Sequence, residues 1–258
     1  MNIPVITYHA IGDGPRPLWI SADVFEDHLR AFANQGYRTV SLEAAARLLK
    51  APAEGSSKPL VITFDDGYRN FFTAAWPILD RYGFSATLFV VTDLCDGIER
   101  TGAADTFKPL APVLSWDEIR YLAGVGCEIG SHTRTHPHLP SLHDDAAVVD
   151  EIAGSKRIIE QELGRPVRVF AYPYGSVESR AVATVRAAFR SAVTTNLGVA
   201  GASSDAYLLE RVDAYYLSPE HVARLDTAAG RLWLRTRRTL RSIRRHVRPD
   251  HIRQDKTR

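Results

Sequence analysis

The chain has 258 residues, 45% hydrophobic content and a formal net charge of only +2, with two cysteines. That length and apolar content allow one sizeable core and exclude a disordered or low-complexity chain. Cys95 and Cys127 are too few for a disulfide framework. No apolar run approaches the length needed to span a bilayer, and the first residues lack a basic segment followed by a long apolar one. A soluble, cytoplasmic protein is expected. The small net charge hides an imbalance. Residues 231–258 carry eleven Lys/Arg against two Asp/Glu, whereas the rest carries 21 against 28. Only the tail therefore invites a polyanion or membrane argument.

In chain order, Pro4 to Tyr8 reads as a strand, followed by His9 and a Gly/Pro-rich loop to Pro17. Ser21 is a fair N-cap for a helix through Phe25, Leu29 and Phe32, with Gly36 as its stop. Arg38 to Val40 is a short strand, and Ser41 caps a second helix before a loop at 52–59. Val61 to Phe64 is a buried strand leading into Asp65, Asp66 and Gly67. A helix follows over about 70–82, then a strand over Ala86 to Val91 and an irregular connection over 92–113, of a kind that often borders a site. Ser115 caps a helix through Trp116, Ile119 and Leu122. Cys127 to Gly130 is a strand running into Ser131-His132-Thr133-Arg134-Thr135-His136. A long amphipathic helix over about 144–163 precedes a strand over Val167 to Ala171, which enters Tyr172-Pro173-Tyr174-Gly175. A helix near 180–188 and strands near 192–195 and 208–215 complete the body.

This alternation of strand and helix predicts a parallel sheet with helices outside, closed into a barrel in preference to a doubly wound sheet. Sites in such folds lie at the C-terminal ends of the strands. His9, Asp65, Asp66, His132, His136 and Tyr174 all fall there.

Side chains alternate along a strand, so Asp65 and Asp66 leave theirs in different directions. One can bind a metal while the other handles a proton, since two buried carboxylates each need a partner. An Asp with two His makes a three-ligand set that leaves positions open for water and substrate. Such a metal lowers the pKa of bound water, the second aspartate accepts its proton, and an oxyanion then needs donors. The turn at Tyr174 can offer a backbone N–H, and His9 is placed to protonate a leaving group.

With those residues in view, TFDDG at 63–67, SHTRTH at 131–136 and FAYPYG at 170–175 together resemble the polysaccharide deacetylase family, of the chitooligosaccharide deacetylase-like type grouped as carbohydrate esterase family four. The resemblance runs from about Pro4 to Tyr215. It implies a distorted (β/α)7 barrel over residues 1–230, with 231–258 as a basic tail, and metal-dependent removal of N- or O-acetyl groups from sugars. It further implies that Asp65 is the catalytic base and that Asp66, His132 and His136 hold the metal. Zn²⁺ is foremost there, with Co²⁺, Ni²⁺ and Fe²⁺ as substitutes. The Tyr174 N–H would serve the oxyanion.

Two positions depart from the family pattern. Ala171 stands where an arginine commonly orients the base, and no Leu-x-His follows Tyr207. A branch of the family carries a Tyr-His pair on its first strand, which Tyr8-His9 resembles, and its histidine takes the acid role. Arg211 is then the candidate replacement guanidinium. Tyr172, Tyr174 and Trp116 are candidate sugar contacts, with a structural role at the helix start as the favoured alternative for Trp116 and barrel filling as the alternative for Tyr172. An acetylated glycan is the expected partner and nucleic acid is not, because the body is acidic and no base-reading motif occurs. In the tail, Trp233, Leu240, Ile243 and Val247 fall on one helical stripe among arginines, a pattern suited to an anionic membrane surface or to a solvated terminal helix. The competing function is a carbohydrate-binding protein of the same fold without turnover. A non-haem iron triad uses a similar His-His-Asp set but needs an oxidisable substrate.

Overall fold

The computed structural model describes residues 1–51, 58–97, 107–225 and 227–247. Seven parallel strands close into a ring: β1 (Val5–Tyr8), β2 (Lys58–Phe64), β3 (Thr87–Val90), β4 (Glu128–Ser131), β5 (Val169–Ala171), β6 (Ser191–Leu197) and β7 (Leu209–Asp213). Closure comes from β1, which pairs with β7 through Val212 opposite Ile6 and with β2 through Val5 opposite Val61. The ring is a distorted (β/α)7 barrel. Its register slips between β6 and β7, where Val193 faces Leu209 but Leu197 faces Arg211.

Alternation along the strands sorts the side chains into two layers. Val5, Val61, Phe89, Val169, Ala171, Val193 and Leu209 fill the barrel. Their neighbours Ile6, Ile62, Phe64, Leu88, Phe170 and Val212 face the helices. Gly130 on β4 is required by this packing, since a Cβ there would lie 2.5 Å from the Phe89 ring and 2.8 Å from Val169. On the outer face Tyr8, Phe25, Phe64 and Phe71 pack edge-to-face or stacked, with centroids 4.7–5.7 Å apart.

The serine caps read from the sequence are present. Ser21 accepts from the Val24 N–H ahead of α1 (Ala22–Asn34), and Ser41 from the Ala44 N–H ahead of α2 (Leu42–Leu48). Ser115 forms a full capping box with Glu118 at the start of α4 (Trp116–Gly124). The expected 70–82 helix opens with a π-helical turn at Phe71–Ala75 before α3 (Trp76–Arg81). The expected 144–163 helix is likewise interrupted, with a π-helical turn at Asp150–Gly154 between α5 (Asp145–Val149) and α6 (Ser155–Leu163). The short second strand falls at Tyr37–Thr39, and the last is followed by a 3-10 turn at Ala214–Tyr216. Of the irregular 92–113 connection, residues 98–106 lie outside the described residues. Helices α7 (Ser179–Ala188), α8 (Pro219–Val222) and α9 (Ala228–Val247) complete the chain. No helix among the described residues is long and apolar enough to cross a membrane.

The lower end of the barrel is closed by α2, whose Leu42, Ala45 and Leu49 join Ile3 in the interior cluster. A carboxylate fixes this plug. Glu128, the first residue of β4, accepts from the Leu42 N–H at 2.7 Å, the Glu43 N–H at 3.2 Å and the Thr87 hydroxyl at 2.6 Å. It thus satisfies two of the orphan N–H groups of α2 and sits at the favourable end of its dipole. Glu128→Ala should cost about 2 kcal/mol and lower Tm by about 4–8 °C in a thermal melt, with Glu128→Gln intermediate.

Candidate active site

The upper end of the barrel holds the polar residues. Asp65 follows β2 on the same alternation that turns Val61 and Thr63 inward, and it is buried. Facing it from β7 is Arg211, 1% exposed. The two groups make a two-pronged pair, Nη1 to Oδ1 and Nη2 to Oδ2, each 2.7 Å. Two further donors of the guanidinium are used as well. Nε reaches the Thr194 carbonyl at 2.8 Å, and Nη1 also reaches Thr63 Oγ1 at 3.2 Å. Burial pushes the Asp65 carboxyl up, but the Arg211 charge and hydrogen bonds, with smaller contributions from His132 and His9, hold it below the ordinary carboxylate range. The result is an ionised, oriented carboxylate.

Asp66 turns away, its backbone in the left-handed region at φ 70°. Its Oδ1 lies 3.4 Å from His132 Nε2 and 3.3 Å from His136 Nε2. Burial opposes ionisation here too, and hydrogen bonds from the two imidazoles, together with the charges of His136 and His9, draw the carboxyl well below its usual value. The ligand atoms of Asp66, His132 and His136 all lie within 4.8 Å of one another, and all three residues are buried. His132 Nδ1 lies 2.7 Å from the Ala171 carbonyl, which takes only a donor. That fixes a proton on Nδ1 and leaves Nε2 as the nitrogen facing the Asp66 carboxylate, the one able to offer its lone pair to a cation. A carboxylate and two imidazoles, one held by a carbonyl behind it, fit a divalent cation.

The loop carrying the histidines is held from outside. Thr133 and His136 both have positive φ, 68° and 60°, which a packed environment must impose. Glu151 does so: its Oε2 accepts from the Arg134 and Thr135 N–H groups, each at 2.9 Å, and its Oε1 from the Thr135 hydroxyl at 2.7 Å. Arg134 in turn grips Asp93 through Nε at 3.3 Å and Nη2 at 3.0 Å, and also pairs with Asp150. The π-helical turn has its reason here. It brings consecutive Asp150 and Glu151 to the same loop, and Gly154 leaves room for Arg134, whose Cδ would sit 3.1 Å from a Cβ at that position. Neither Glu151 nor Arg134 is distinguishable in sequence from a solvated charge on a helix or loop.

Tyr174 sits on a turn with φ 58°, its ring centroid 4.6 Å from that of His136. Thr195 Oγ1 donates to the Tyr174 carbonyl at 3.2 Å. Gly175 is required beside it, because a Cβ there would fall 2.0 Å from the same Oγ1. On another side of His136 lies Phe107, with centroids 4.2 Å apart, an aromatic wall that no sequence pattern announced. His9 is half-buried and close enough to bias both aspartates. The loop after it encloses a cavity of about 220 Å³ lined by Asp13, Arg16 and Trp19 among others.

Two expected sugar contacts are corrected. Tyr172 is fully buried, packed edge-on against Phe170 at 5.1 Å in the layer between strands and helices. It follows Ala171 on the outward alternation, so it can reach no glycan. Trp116 is also buried, in the first turn of α4, with its backbone N–H donating to the Asp96 carboxylate at 2.9 Å. Its indole belongs to the core.

Comparison with known proteins agrees with this geometry. The family profile described as polysaccharide deacetylase matches residues 53–191. The Bacillus subtilis protein YxkH, named for polysaccharide deacetylase, is 28% identical over 212 residues, covering 82% of this chain and 71% of that one. The solved structure of the Streptococcus pyogenes deacetylase PplD in complex with acetate superposes with a TM-score of 0.76 at 27% identity, over 87% of this chain and 98% of that one. A polysaccharide deacetylase from Bacillus cereus gives 0.70 at 26%, over 85% and 67%.

Glu151→Ala should weaken Zn²⁺ binding by about 10–100-fold in a chelator competition, because it frees the loop behind two ligands. Arg211→Met should cost about 3–5 kcal/mol in urea melts, since it leaves Asp65 as a buried, uncompensated charge. Adding Asp65→Asn to Arg211→Met should recover much of that loss, and simple additivity of the two changes would contradict the coupling.

Proposed function

The chain is a hydrolase of the polysaccharide deacetylase family, and on that footing we propose that it removes N-acetyl groups, with O-acetyl as the lesser alternative, from a polysaccharide or glycan intermediate. The observation that carries the reading is the segregation of partners at two adjacent aspartates, a guanidinium for Asp65 and two imidazoles for Asp66. Asp66, His132 and His136 would hold the divalent cation, Zn²⁺ foremost, with Co²⁺, Ni²⁺ or Fe²⁺ also suited to these donors. Bound there, it would supply Lewis acidity toward the acetyl carbonyl and a water of lowered pKa.

The chain's own residues do the rest. Asp65 accepts a proton from the attacking water as its oxygen bonds to the acyl carbon. Arg211 keeps that carboxylate ionised and aimed, so it is a positioning residue. It fills the role left vacant by Ala171, from a different strand. The Tyr174 N–H donates to the oxyanion, in a turn that Thr195 braces. His9 donates a proton to the leaving nitrogen as the C–N bond breaks, releasing acetate and an amine. Phe107 and Tyr174 flank His136 and can shield the acetyl group from bulk water. The acetate found with the Streptococcus pyogenes deacetylase is the product this chemistry requires.

A panel of acetylated oligosaccharides, assayed for acetate release with Zn²⁺ restored, tests the reading. Asp65→Asn and His9→Ala should each lower kcat by about 10²–10⁴. Glycan binding with no acetate released from any substrate would instead assign the chain to the binding-protein alternative, which the departures at Ala171 and after Tyr207 motivate.

A further inference from the structure

The C-terminal helix α9 (Ala228–Val247) carries a second surface that the barrel chemistry does not use. Between its ends the sequence places seven arginines and no acidic residue. One side of the helix is docked on the body. Leu234 is buried, Trp233 stacks on His221 at 4.2 Å, and Arg237 lies over both Trp233 and Tyr216. Further along, Arg241 Nη1 reaches the Thr195 carbonyl at 3.4 Å. This corrects the stripe read from sequence, because Trp233 belongs to the docked side. The side chains of Ile243 and Val247 lie outside the described residues.

The opposite side is open. Leu232 and Leu240 are 65% and 53% exposed, among the most exposed large apolar side chains of the described residues. At 3.6 residues per turn Leu232 lies about 160° and Leu240 about 120° from Leu234 round the helix. Arg235 lies about 60° from Leu232 round the helix, with Arg231 and Arg238 further round on that side, and all three are exposed. Tyr215, 43% exposed, packs at 5.4 Å on Tyr216, the ring beneath Arg237.

From this arrangement we propose that the outer face of α9 docks on an anionic lipid bilayer. Apolar side chains projecting between long cations match an interface in which leucines enter the acyl boundary and guanidiniums meet headgroup phosphates. A second copy of the chain is a poor occupant, since pairing would bring two arginine-rich helices together. A nucleic acid would leave the leucine ridge unused. The docked side explains why position matters. Arg241 touches the Thr195 carbonyl, and Thr195 Oγ1 braces Tyr174 beside His136, so α9 runs along the mouth of the candidate active site. Docking would therefore hold that mouth beside the bilayer, where a membrane-associated acetylated glycan is reached without diffusion through bulk water. That last step rests on the deacetylase reading, whereas the docking itself does not.

Co-sedimentation of the full chain with phosphatidylcholine vesicles, alone or mixed with phosphatidylglycerol, tests the proposal. The mixed vesicles should bind it, the neutral ones should not, and added salt should release it. Arg235→Gln with Arg238→Gln should weaken binding by roughly fivefold per arginine, and Leu232→Ser with Leu240→Ser by at least about tenfold. Both double variants should melt like the wild type and release acetate from a soluble substrate at the same rate. Equal binding to neutral vesicles, undiminished binding by the variants, or a self-association that the leucine variants abolish would each overturn it.

Discussion

Two carboxylates buried side by side set the main constraint on this molecule. An ionised group removed from water is costly, and two like charges in adjacent residues add their repulsion. The fold answers with separate partners. Asp65 faces a guanidinium whose Nε and both Nη groups are bonded inside the barrel. Asp66 faces two imidazoles. The left-handed backbone at Asp66 is what separates the two environments by a single peptide unit. One carboxylate is thereby held by a guanidinium and the other by two imidazoles.

The guanidinium is that of Arg211, the candidate named from the sequence. Ala171 belongs to the apolar filling of the barrel, and only its carbonyl is used, against His132. Arg211 arrives from β7, two strands round the ring, where the register slip between Val193 and Leu197 sets its height opposite Leu197. A closed barrel makes such a substitution feasible, because every inward position near the upper end looks toward the same axis. What the buried Asp65 carboxylate needs is a fixed cation beside it. Its place in the chain is free to move.

Strain around the site is concentrated rather than spread. Of the five non-glycine residues with positive φ among the described residues, four are Asp66, Thr133, His136 and Tyr174. Such conformations persist where surrounding contacts over-determine them. Glu151 and the π-helical turn at Asp150–Gly154 do this for the histidine loop, and Thr195 with Gly175 does it for the Tyr174 turn. The same Thr195 is the point where α9 meets the mouth of the barrel, so the tail and the site share a support.

Local signals were legible in the sequence because they are short-range physics. The serine caps at Ser21, Ser41 and Ser115, the buried run before Asp65, and the placement of every polar candidate after a strand follow from propensity, capping and alternation over a few residues. The grouping of Asp66, His132 and His136 was readable for the same reason, as a donor set with few other uses. Tertiary structure decided what depends on distant segments meeting. It gave the Arg211 nominated from sequence its two-pronged geometry on Asp65 across 146 residues, gave Glu151 the histidine loop, and set Phe107 against His136. It also withdrew Tyr172 and Trp116, aromatic residues that composition alone cannot sort between a sugar platform and a core. Which way a ring or a charge points depends on what packs behind it, and no stretch of sequence contains that.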